Sequence, residues 1–226
     1  MIILSIESCT EVISIALKIG NEISEKSFPS GKDYSENILP EIIMLLSESG
    51  LKINDVDAIA FGSGPGSFTG IRIACGLAYG IAYANKLPII GVNTLEALAL
   101  LSKQEISISC IDARMGQVYL GIYQNINGTI TPLMEPGLFN PSELPKLPKL
   151  KKFIVIGSGV NNYKKEFESQ YCDIELSYFS GRCSLAASIA ILSEPRFDKT
   201  FNLKNAAPTY IRNKVAQTTK ERLSKK

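Results

Sequence analysis

The glycines between Gly62 and Gly70, in the run GSGPGSFTG, are the residues whose spacing most strongly suggests chemistry. A glycine-rich loop that opens a helix can direct backbone N–H groups at an anion, and the positive end of the helix dipole assists it. The run misses the dinucleotide pattern G-x-G-x-x-G because Gly66 comes one residue early, and it lacks the Lys-Ser/Thr pair of a Walker A loop. Two interpretations stay open: a tight connection from strand to helix, or a contact with an anion or nucleotide.

Charged side chains near this loop and at the ends of apolar runs extend the candidate site. Arg72 lies in the first turn of the predicted helix, where a cation opposes the dipole, so we expect an anion or a carboxylate beside it. Glu7 and Asp112 each follow an apolar run, and Asp112 is expected to bond to the backbone of its own turn. The candidate contacts with an anion or nucleotide are Glu7, Gly64, Gly66, Ser67, Thr69, Arg72, Asp112 and Arg114.

The absence of histidine excludes several kinds of enzyme. None of the 226 residues is a histidine, which rules out Ser-His-Asp and Cys-His catalysis and H-E-x-x-H zinc sites. The five cysteines include no C-x-x-C pair, so we expect reduced thiols in the core, no metal site and a cytoplasmic protein. A peptidase is therefore nearly excluded.

The elements that would position these residues occur twice in the same order. Hairpin turns are predicted at Gly20 and Gly128, and the sequence Gly-Ser-Gly occurs at 62–64 and again at 157–159. Strands are predicted over 2–7, 12–19, 22–28, 57–61 and 88–92, and again over 106–111, 117–123, 129–134 and 153–156. The repeat predicts a duplicated α/β fold with a cleft between lobes 1–103 and 104–203. A basic segment, 204–226, follows and either packs back on the first lobe or is partly disordered.

Two predicted helices of the first lobe carry more apolar surface than one sheet can cover. The first opens at a capping box of Asp33 and Glu36 and is expected to kink at Pro40. The second, over about 69–84, is apolar or small on nearly every side. Such a surplus is typical of a surface that binds a protein partner. The candidate partner-binding residues are Ile38, Leu39, Ile42, Ile43, Leu46, Ile71, Cys75, Tyr79 and Tyr83.

The charge of the chain is unevenly distributed. Residues 204–226 carry seven basic side chains and one acidic side chain, which leaves a net charge near −4 on the remainder. A basic segment of this kind can contact nucleic acid or an acidic partner, or it can simply be solvated. The longest uncharged apolar run, 73–85, falls short of the roughly 20 residues that a membrane helix needs, so we expect no membrane contact.

Three runs of the sequence resemble the motifs of the bacterial TsaB (YeaZ) family: GPGSFTGIRIACGLA (64–78), IDARMGQVY (111–119) and YIRNKVA (210–216). The order of the elements also fits this family over nearly the whole chain. The resemblance implies a duplicated actin-like (ASKHA, ribonuclease H-like) fold, in which each lobe has a mixed sheet and flanking helices. It implies a role in making threonylcarbamoyladenosine beside the anticodon of tRNAs.

The resemblance further implies a non-catalytic subunit that binds and activates TsaD, the protein that performs the transfer, together with the ATPase TsaE. It implies a heterodimer with TsaD, a homodimer of the chain alone, and contact with tRNA through the complex. No cofactor is implied, and weak binding of ATP or ADP with Mg²⁺ at the partner interface stays open.

An alternative function follows from the fold alone, since acids at the strand ends of actin-like proteins hold Mg²⁺ on ATP. In that case the chain is an autonomous ATPase or small-molecule kinase, with Glu7 and Asp112 on Mg²⁺ rather than capping turns. Two residues depart from the family pattern: Glu7 stands where Asp is more frequent, and Tyr34 stands where His is common.

Overall fold

The computed structural model describes residues 1–29, 37–150 and 152–212, with the side chains of this range other than 205 and 206. The strands of the first half are β1 (Ile2–Glu7), β2 (Val12–Ile19), β3 (Glu22–Pro29), β4 (Ala58–Gly64) and β5 (Ile89–Asn93). They form one sheet in the order β3-β2-β1-β4-β5. β1 pairs antiparallel with β2 and parallel with β4, so the sheet is mixed.

The second half forms another five-stranded sheet of the same design. Its strands are β6 (Ile106–Arg114), β7 (Gln117–Ile126), β8 (Thr129–Phe139), β9 (Lys152–Ile156) and β10 (Glu175–Phe179). The order is β10-β9-β6-β7-β8, which matches the first sheet when β6 is placed on β1 and β9 on β4. The predicted duplication is therefore confirmed.

Five α-helices connect and cover these sheets within the described residues. They are α1 (Ile38–Glu48), α2 (Phe68–Asn85), α3 (Thr94–Leu101), α4 (Gly159–Gln170) and α5 (Ala186–Ser193). α2 and α4 occupy equivalent places, between the fourth and fifth strands of their sheets, and α3 and α5 each follow the fifth strand. Short 3₁₀ turns lie at Ile53–Asp55, Glu194–Arg196 and Leu203–Ala206.

A central hydrophobic core lies between the two sheets and includes both α3 and α5. α3 belongs to the first half of the sequence but packs on β6 and β7, whereas α5 belongs to the second half but packs on β1 and β2. On the outer faces, α1 and α2 cover the first sheet and α4 covers the second. One helix from each half of the sequence therefore packs on the sheet of the other half, so the sheets alone do not define where one lobe ends. The lobe boundaries 1–103 and 104–203 stay a prediction.

Polar side chains of the first sheet fix the start of α5. The Ser14 hydroxyl accepts hydrogen bonds from the N–H groups of Leu185 and Ala186 at 3.3 and 3.1 Å. Glu25 Oε1 accepts from the N–H of Ala187 at 2.9 Å. The first N–H groups of a helix have no partner within the helix, so these bonds satisfy them from the other half of the chain.

The structure differs from the predicted elements at the edges of the second sheet and at α1. β8 continues through Pro136 to Phe139, beyond the predicted end of the strand at residue 134, because β8 is an edge strand that can lack a ladder hydrogen bond. The five-residue edge strand β10 has no counterpart in the predicted pattern. The expected kink at Pro40 is wrong, because α1 begins at Ile38 and a proline is tolerated in the first turn. The capping box of Asp33 and Glu36, like Tyr34, lies outside the described residues.

Candidate functional site at the inter-lobe cleft

A cleft of about 560 Å³ opens between the lobes. Its walls are the turn after β1, the loop from β4 to α2, the end of β6 with the turn before β7, and residues 209–212. The predicted anion contacts that line it are Gly66, Ser67, Thr69, Asp112 and Arg114. Three other predicted contacts, Glu7, Gly64 and Arg72, are not part of its lining.

The turn after β1 packs directly against the glycine loop. The Ser67 N–H donates to the carbonyl of Cys9 at 2.7 Å, and the Ser8 hydroxyl donates to the carbonyl of Gly70 at 2.6 Å. A Cβ atom on Gly66 would overlap the Cys9 carbonyl oxygen, and one on Gly70 would overlap that of Ser8. The glycines therefore permit backbone-to-backbone packing, which supports the interpretation as a tight connection. Contact with an anion stays a prediction.

The carboxyl group of Glu7 is fully buried at the end of β1. Oε1 accepts a hydrogen bond from the Cys9 N–H at 2.6 Å, whereas Oε2 has no partner among the described residues and faces Gly62. Burial raises the pKa of Glu7 to about 7, because it disfavours the charged form more than the bond from Cys9 favours it. Glu7 thus contacts the packed interior, and its predicted contact with an anion in the cleft is corrected.

The carboxylate of Asp112 closes the turn that follows β6. Oδ1 accepts from the Arg114 N–H at 2.8 Å, and Oδ2 accepts from the Asn162 side-chain amide at 2.9 Å. The predicted bond from Asp112 to its own turn is confirmed. Arg114 has a φ of 59°, and its exposed side chain lies at the wall of the cleft.

Neither acid fits a Mg²⁺ ion held on phosphates. Glu7 is buried against Gly62, and both oxygens of Asp112 accept hydrogen bonds from the protein. Mg²⁺ keeps several waters and needs carboxylate oxygens that are open to them. Between residues 1 and 212, wherever the structure describes the chain, no three metal-ligating side chains come together. The Mg²⁺ role that the fold suggests for these acids conflicts with their geometry.

Arg72 stacks on aromatic rings. Its guanidinium carbon is 3.3 Å from the ring centre of Phe68 and 5.5 Å from that of Tyr210, and Nη1 donates to the Phe68 carbonyl at 3.3 Å. The negative faces of the rings attract the cation in the place of the expected anion or carboxylate. Phe68 and Arg72 stand one helical turn apart, and this F-x-x-x-R spacing is the sequence signal that could have revealed the pair.

Residues 209–212 connect the two lobes across the cleft. On the first lobe, the Thr209 N–H donates to the carbonyl of Ser63 at 2.7 Å. On the second lobe, Arg212 Nη2 donates to Gln117 Oε1 at 2.8 Å and to the Arg114 carbonyl at 3.3 Å. The sequence run YIRNKVA contains part of this segment but gives no signal for the bridging role.

The predicted partner-binding residues of α1 and α2 fall into two groups. Ile38, Ile42 and Leu46 are buried in the outer core of the first sheet, and Ile71 is buried at the cleft that it lines. Buried side chains cannot form part of a partner surface, which corrects the prediction for these four residues. Four point to solvent with exposed fractions of 45%, 61%, 43% and 63%: Leu39, Ile43, Tyr79 and Tyr83. Cys75 is half-buried. Periodicity locates an apolar stripe, but it cannot show which side faces the sheet when both sides are apolar.

The sequence model of the family described as "TsaD: tRNA N6-adenosine threonylcarbamoyltransferase" matches residues 29–221. The "tRNA threonylcarbamoyladenosine biosynthesis protein TsaB" of Escherichia coli K12 is 31% identical over 226 residues, which cover 96% of each chain. The chain belongs to the TsaB (YeaZ) family. The TsaB protein of Haemophilus influenzae is 40% identical over 121 residues, which are 52% of this chain and 51% of that protein.

Solved structures agree with this assignment. "YeaZ from Pseudomonas aeruginosa" has a TM-score of 0.78 at 27% identity and covers 92% of this chain and 99% of its own. The predicted actin-like fold is confirmed, and family membership places the chain in the biosynthesis of tRNA threonylcarbamoyladenosine. In the part of the chain that the structure describes, no helix has both the length and the apolar character that a membrane span requires.

Proposed function

We propose that this chain is a non-catalytic subunit that binds and activates TsaD, together with TsaE, for threonylcarbamoylation of the adenosine beside the anticodon of tRNAs. The observation that carries the proposal is an exposed apolar face on α1 and α2, the two helices on the outer side of the first sheet. Exposed apolar surface of this kind is typical of a protein-binding site.

The exposed side of α2 has two features that allow another protein to pack closely against it. The rings of Tyr79 and Tyr83 stack with centres 6.1 Å apart and planes within 6°. Next to them, a Cβ atom added to Gly76 or Gly80 would have no neighbour within 4 Å, so a partner can reach the helix backbone. Tyrosines provide large contact area at little conformational cost, and they are enriched at the centres of protein interfaces.

A second exposed apolar side lies on α1. Leu39, Ile43 and Met44 are 45%, 61% and 46% exposed, although α1 buries a second set of apolar residues against the sheet. A helix that covers one sheet needs apolar residues on one side. The additional apolar side supports a second packing surface, and we propose TsaD as its occupant in the complex and a second copy of the chain when TsaD is absent.

The chemistry of the chain supports a non-catalytic role. It has no histidine to act as a base or metal ligand, and the buried carboxyl of Glu7 lies outside the cleft lining. We further propose a cytoplasmic location and no cofactor of its own, with weak binding of ATP or ADP and Mg²⁺ restricted to the TsaD interface. Calorimetry with each protein alone and with the complex tests that restriction.

Binding to TsaD is tested by co-purification of variants with matched exposure. Ile43→Asp and Tyr83→Asp should each lower recovery of TsaD at least about tenfold, because a buried unpaired charge costs several kcal/mol at an interface. Ile126→Asp is the control, since Ile126 is 56% exposed on the hairpin of the second lobe. Recovery of TsaD by Ile43→Asp and Tyr83→Asp at the level of Ile126→Asp would contradict the proposal.

Reconstitution tests the functional role. TsaD and TsaE, supplied with ATP, an activated threonylcarbamoyl donor and a tRNA substrate, should form the modified nucleoside only when this chain is added. Tyr83→Asp should fail to restore it. Equal rates with and without the chain would reject an activating role. ATP turnover by the isolated chain that is lost in Asp112→Asn would instead favour the autonomous ATPase.

A further inference from the structure

The cleft lining includes Phe68, Tyr210, Arg114 and Arg212, and Arg72 stacks on the two rings from beside the cleft. We call these five residues the arginine–aromatic platform. The ring centres of Phe68 and Tyr210 are 6.3 Å apart, and the guanidinium of Arg72 lies over both rings. The rings remain 47% and 43% exposed. Arg212 donates a hydrogen bond to the carbonyl of Arg114, so these two arginines lie next to each other in the lining of the cleft.

The platform has an excess of positive charge. None of its arginines forms an ion pair with a described carboxylate, although Lys18, Lys26 and Arg196 elsewhere in the chain all do. Among the described acids of the cleft, Asp112 is occupied by Arg114 N–H and Asn162, and Glu11 is the one exposed carboxylate of the lining. Arginines without a carboxylate partner among the described residues, beside half-exposed rings, fit a ligand with both negative charge and flat apolar faces.

We infer that the arginine–aromatic platform binds a single-stranded segment of the tRNA that the pathway modifies. Bases would stack on the solvent-exposed surface that Phe68 and Tyr210 keep beside Arg72, and the three guanidinium groups would contact phosphates. The inference rests on the pathway assignment and on the proposed role beside TsaD. The proposed role beside TsaD requires only protein contacts of this chain, whereas the inference gives the chain an RNA-binding surface of its own.

Two further observations favour RNA over a mononucleotide. The rings line the cleft and remain half-exposed, so successive bases of a strand can reach them, and neither Glu7 nor Asp112 fits the Mg²⁺ of a bound nucleoside triphosphate. The sequence beyond Arg212 adds five basic residues and one acidic residue, which increases the positive charge of the chain that RNA would meet. RNA affinity grows with the number of phosphates neutralised.

The experiment measures fluorescence anisotropy of a labelled tRNA transcript and of a labelled unstructured 12-nucleotide RNA. Each is titrated with the full chain and with its TsaD complex between about 50 and 200 mM salt. Arg114→Gln removes an exposed side chain, so the fold should be unaffected. It should weaken binding about fivefold near 0.1 M salt and reduce the slope of log affinity against log salt by about 0.7. Phe68→Ala should weaken binding by roughly 5- to 100-fold.

Lys86→Gln is the matched control, because Lys86 is exposed and follows α2 at its other end, about 21 Å from Arg72 along the helix. It should bind both RNAs as the unmodified chain does. Failure of either RNA to bind at low salt would overturn the inference, and so would equal weakening of RNA binding by Lys86→Gln and Arg114→Gln. A third contrary result would be that ATP displaces the RNA and that Arg114→Gln abolishes ATP binding, since the platform would then be a mononucleotide site. Co-purification of Arg114→Gln with TsaD is measured in parallel, so loss of RNA binding is distinguished from failure of the proposed partnership.

Discussion

In the first lobe, the carboxyl group at the end of β1 is buried, and one of its oxygens has no partner among the described residues. In the second lobe, the carboxylate near the end of β6 is half-buried, and both of its oxygens accept hydrogen bonds. Oε2 of Glu7 has no partner in the described structure, and burial raises its pKa to about 7. Asp112 accepts from the Arg114 N–H and from Asn162. Equivalent order along a repeat therefore does not give two acids the same chemistry.

Strand register explains the difference. Ile111 and Ala113 belong to the central core between the sheets, so Asp112, which alternates with them, points to the opposite face towards α4. Glu7 pairs with Ser14, whose hydroxyl contacts the start of α5 on the central face. A shift of one residue moves a side chain to the other face of a sheet, and this is why the two acids do not face each other across the cleft.

The outer helices of the two lobes also differ. α2 presents two stacked tyrosines to solvent, whereas α4 presents polar residues such as Lys164 and Glu168, whose charged groups are 3.7 Å apart. The first lobe has α1 on the same face, but residues 140–150 of the second lobe form no helix in its place. The fold is duplicated, yet among the described outer helices the exposed large apolar side chains lie on α1 and α2 of the first lobe. This difference between the helices supports placing the proposed TsaD contact there.

The largest expected effect comes from breaking the tight glycine loop of the first lobe. Gly70→Ala would place a Cβ against the Ser8 carbonyl oxygen, which belongs to the backbone and cannot turn away. We expect the free energy of unfolding to fall by about 3 kcal/mol in urea denaturation. In the second lobe, a Cβ on Gly159 would meet the Cys110 thiol, which can move, so Gly159→Ala should cost less.

Gly80→Ala is the control for Gly70→Ala within the same helix. Gly80 has open space around it, so alanine should stabilise the chain by about 1 kcal/mol through helix propensity. If Gly70→Ala matched Gly80→Ala, the loop would not be as closely packed as the structure places it.

The next largest effect is the pH dependence that Glu7 gives to the free energy of unfolding. The folded-state pKa of Glu7, about 7, lies above its ordinary value of 4.5, so the folded state keeps a proton that the unfolded state has released between these values. The stability that this proton contributes is present below about pH 4.5 and is lost, by roughly 2–3 kcal/mol, as pH rises towards 7. Glu7→Gln should remove that part of the pH dependence in denaturation measured from pH 4.5 to 8. A profile identical to that of the unmodified chain would show that Glu7 does not titrate in this range.

The smallest effect is expected for Asp112→Ala. This change removes the bond to the Arg114 N–H at a half-buried turn, so we expect the free energy of unfolding to fall by about 1 kcal/mol in urea denaturation. Asp112→Asn keeps an acceptor oxygen and should retain most of the stability. If Asp112→Ala lowered the free energy of unfolding more than Gly70→Ala does, the turn of the second lobe would matter more for stability than the glycine loop of the first, contrary to this prediction.

The sequence by itself determined the repeated strand order and the hairpin turns at Gly20 and Gly128, both of which adopt positive φ. These features depend on local alternation and on backbone conformations that glycine adopts readily, so neighbouring residues suffice to predict them. The bond from Asp112 to its own turn is equally local. The absence of histidine limits the chemistry of the chain through composition alone.

Tertiary structure alone decided which apolar residues of α1 and α2 are exposed, which acid is buried, and what lies beside Arg72. Ile42 and Ile43 are equally apolar and adjacent, but one packs on the sheet and the other faces solvent. Arg72 meets Tyr210, which is 138 residues away in the sequence, so no local pattern could identify that ring as its neighbour. Burial and long-range contacts depend on how the elements pack, which the local sequence does not specify. The glycine loop is a further example, because its glycines leave room for the backbone of residues 8 and 9, a contact that only the folded chain makes.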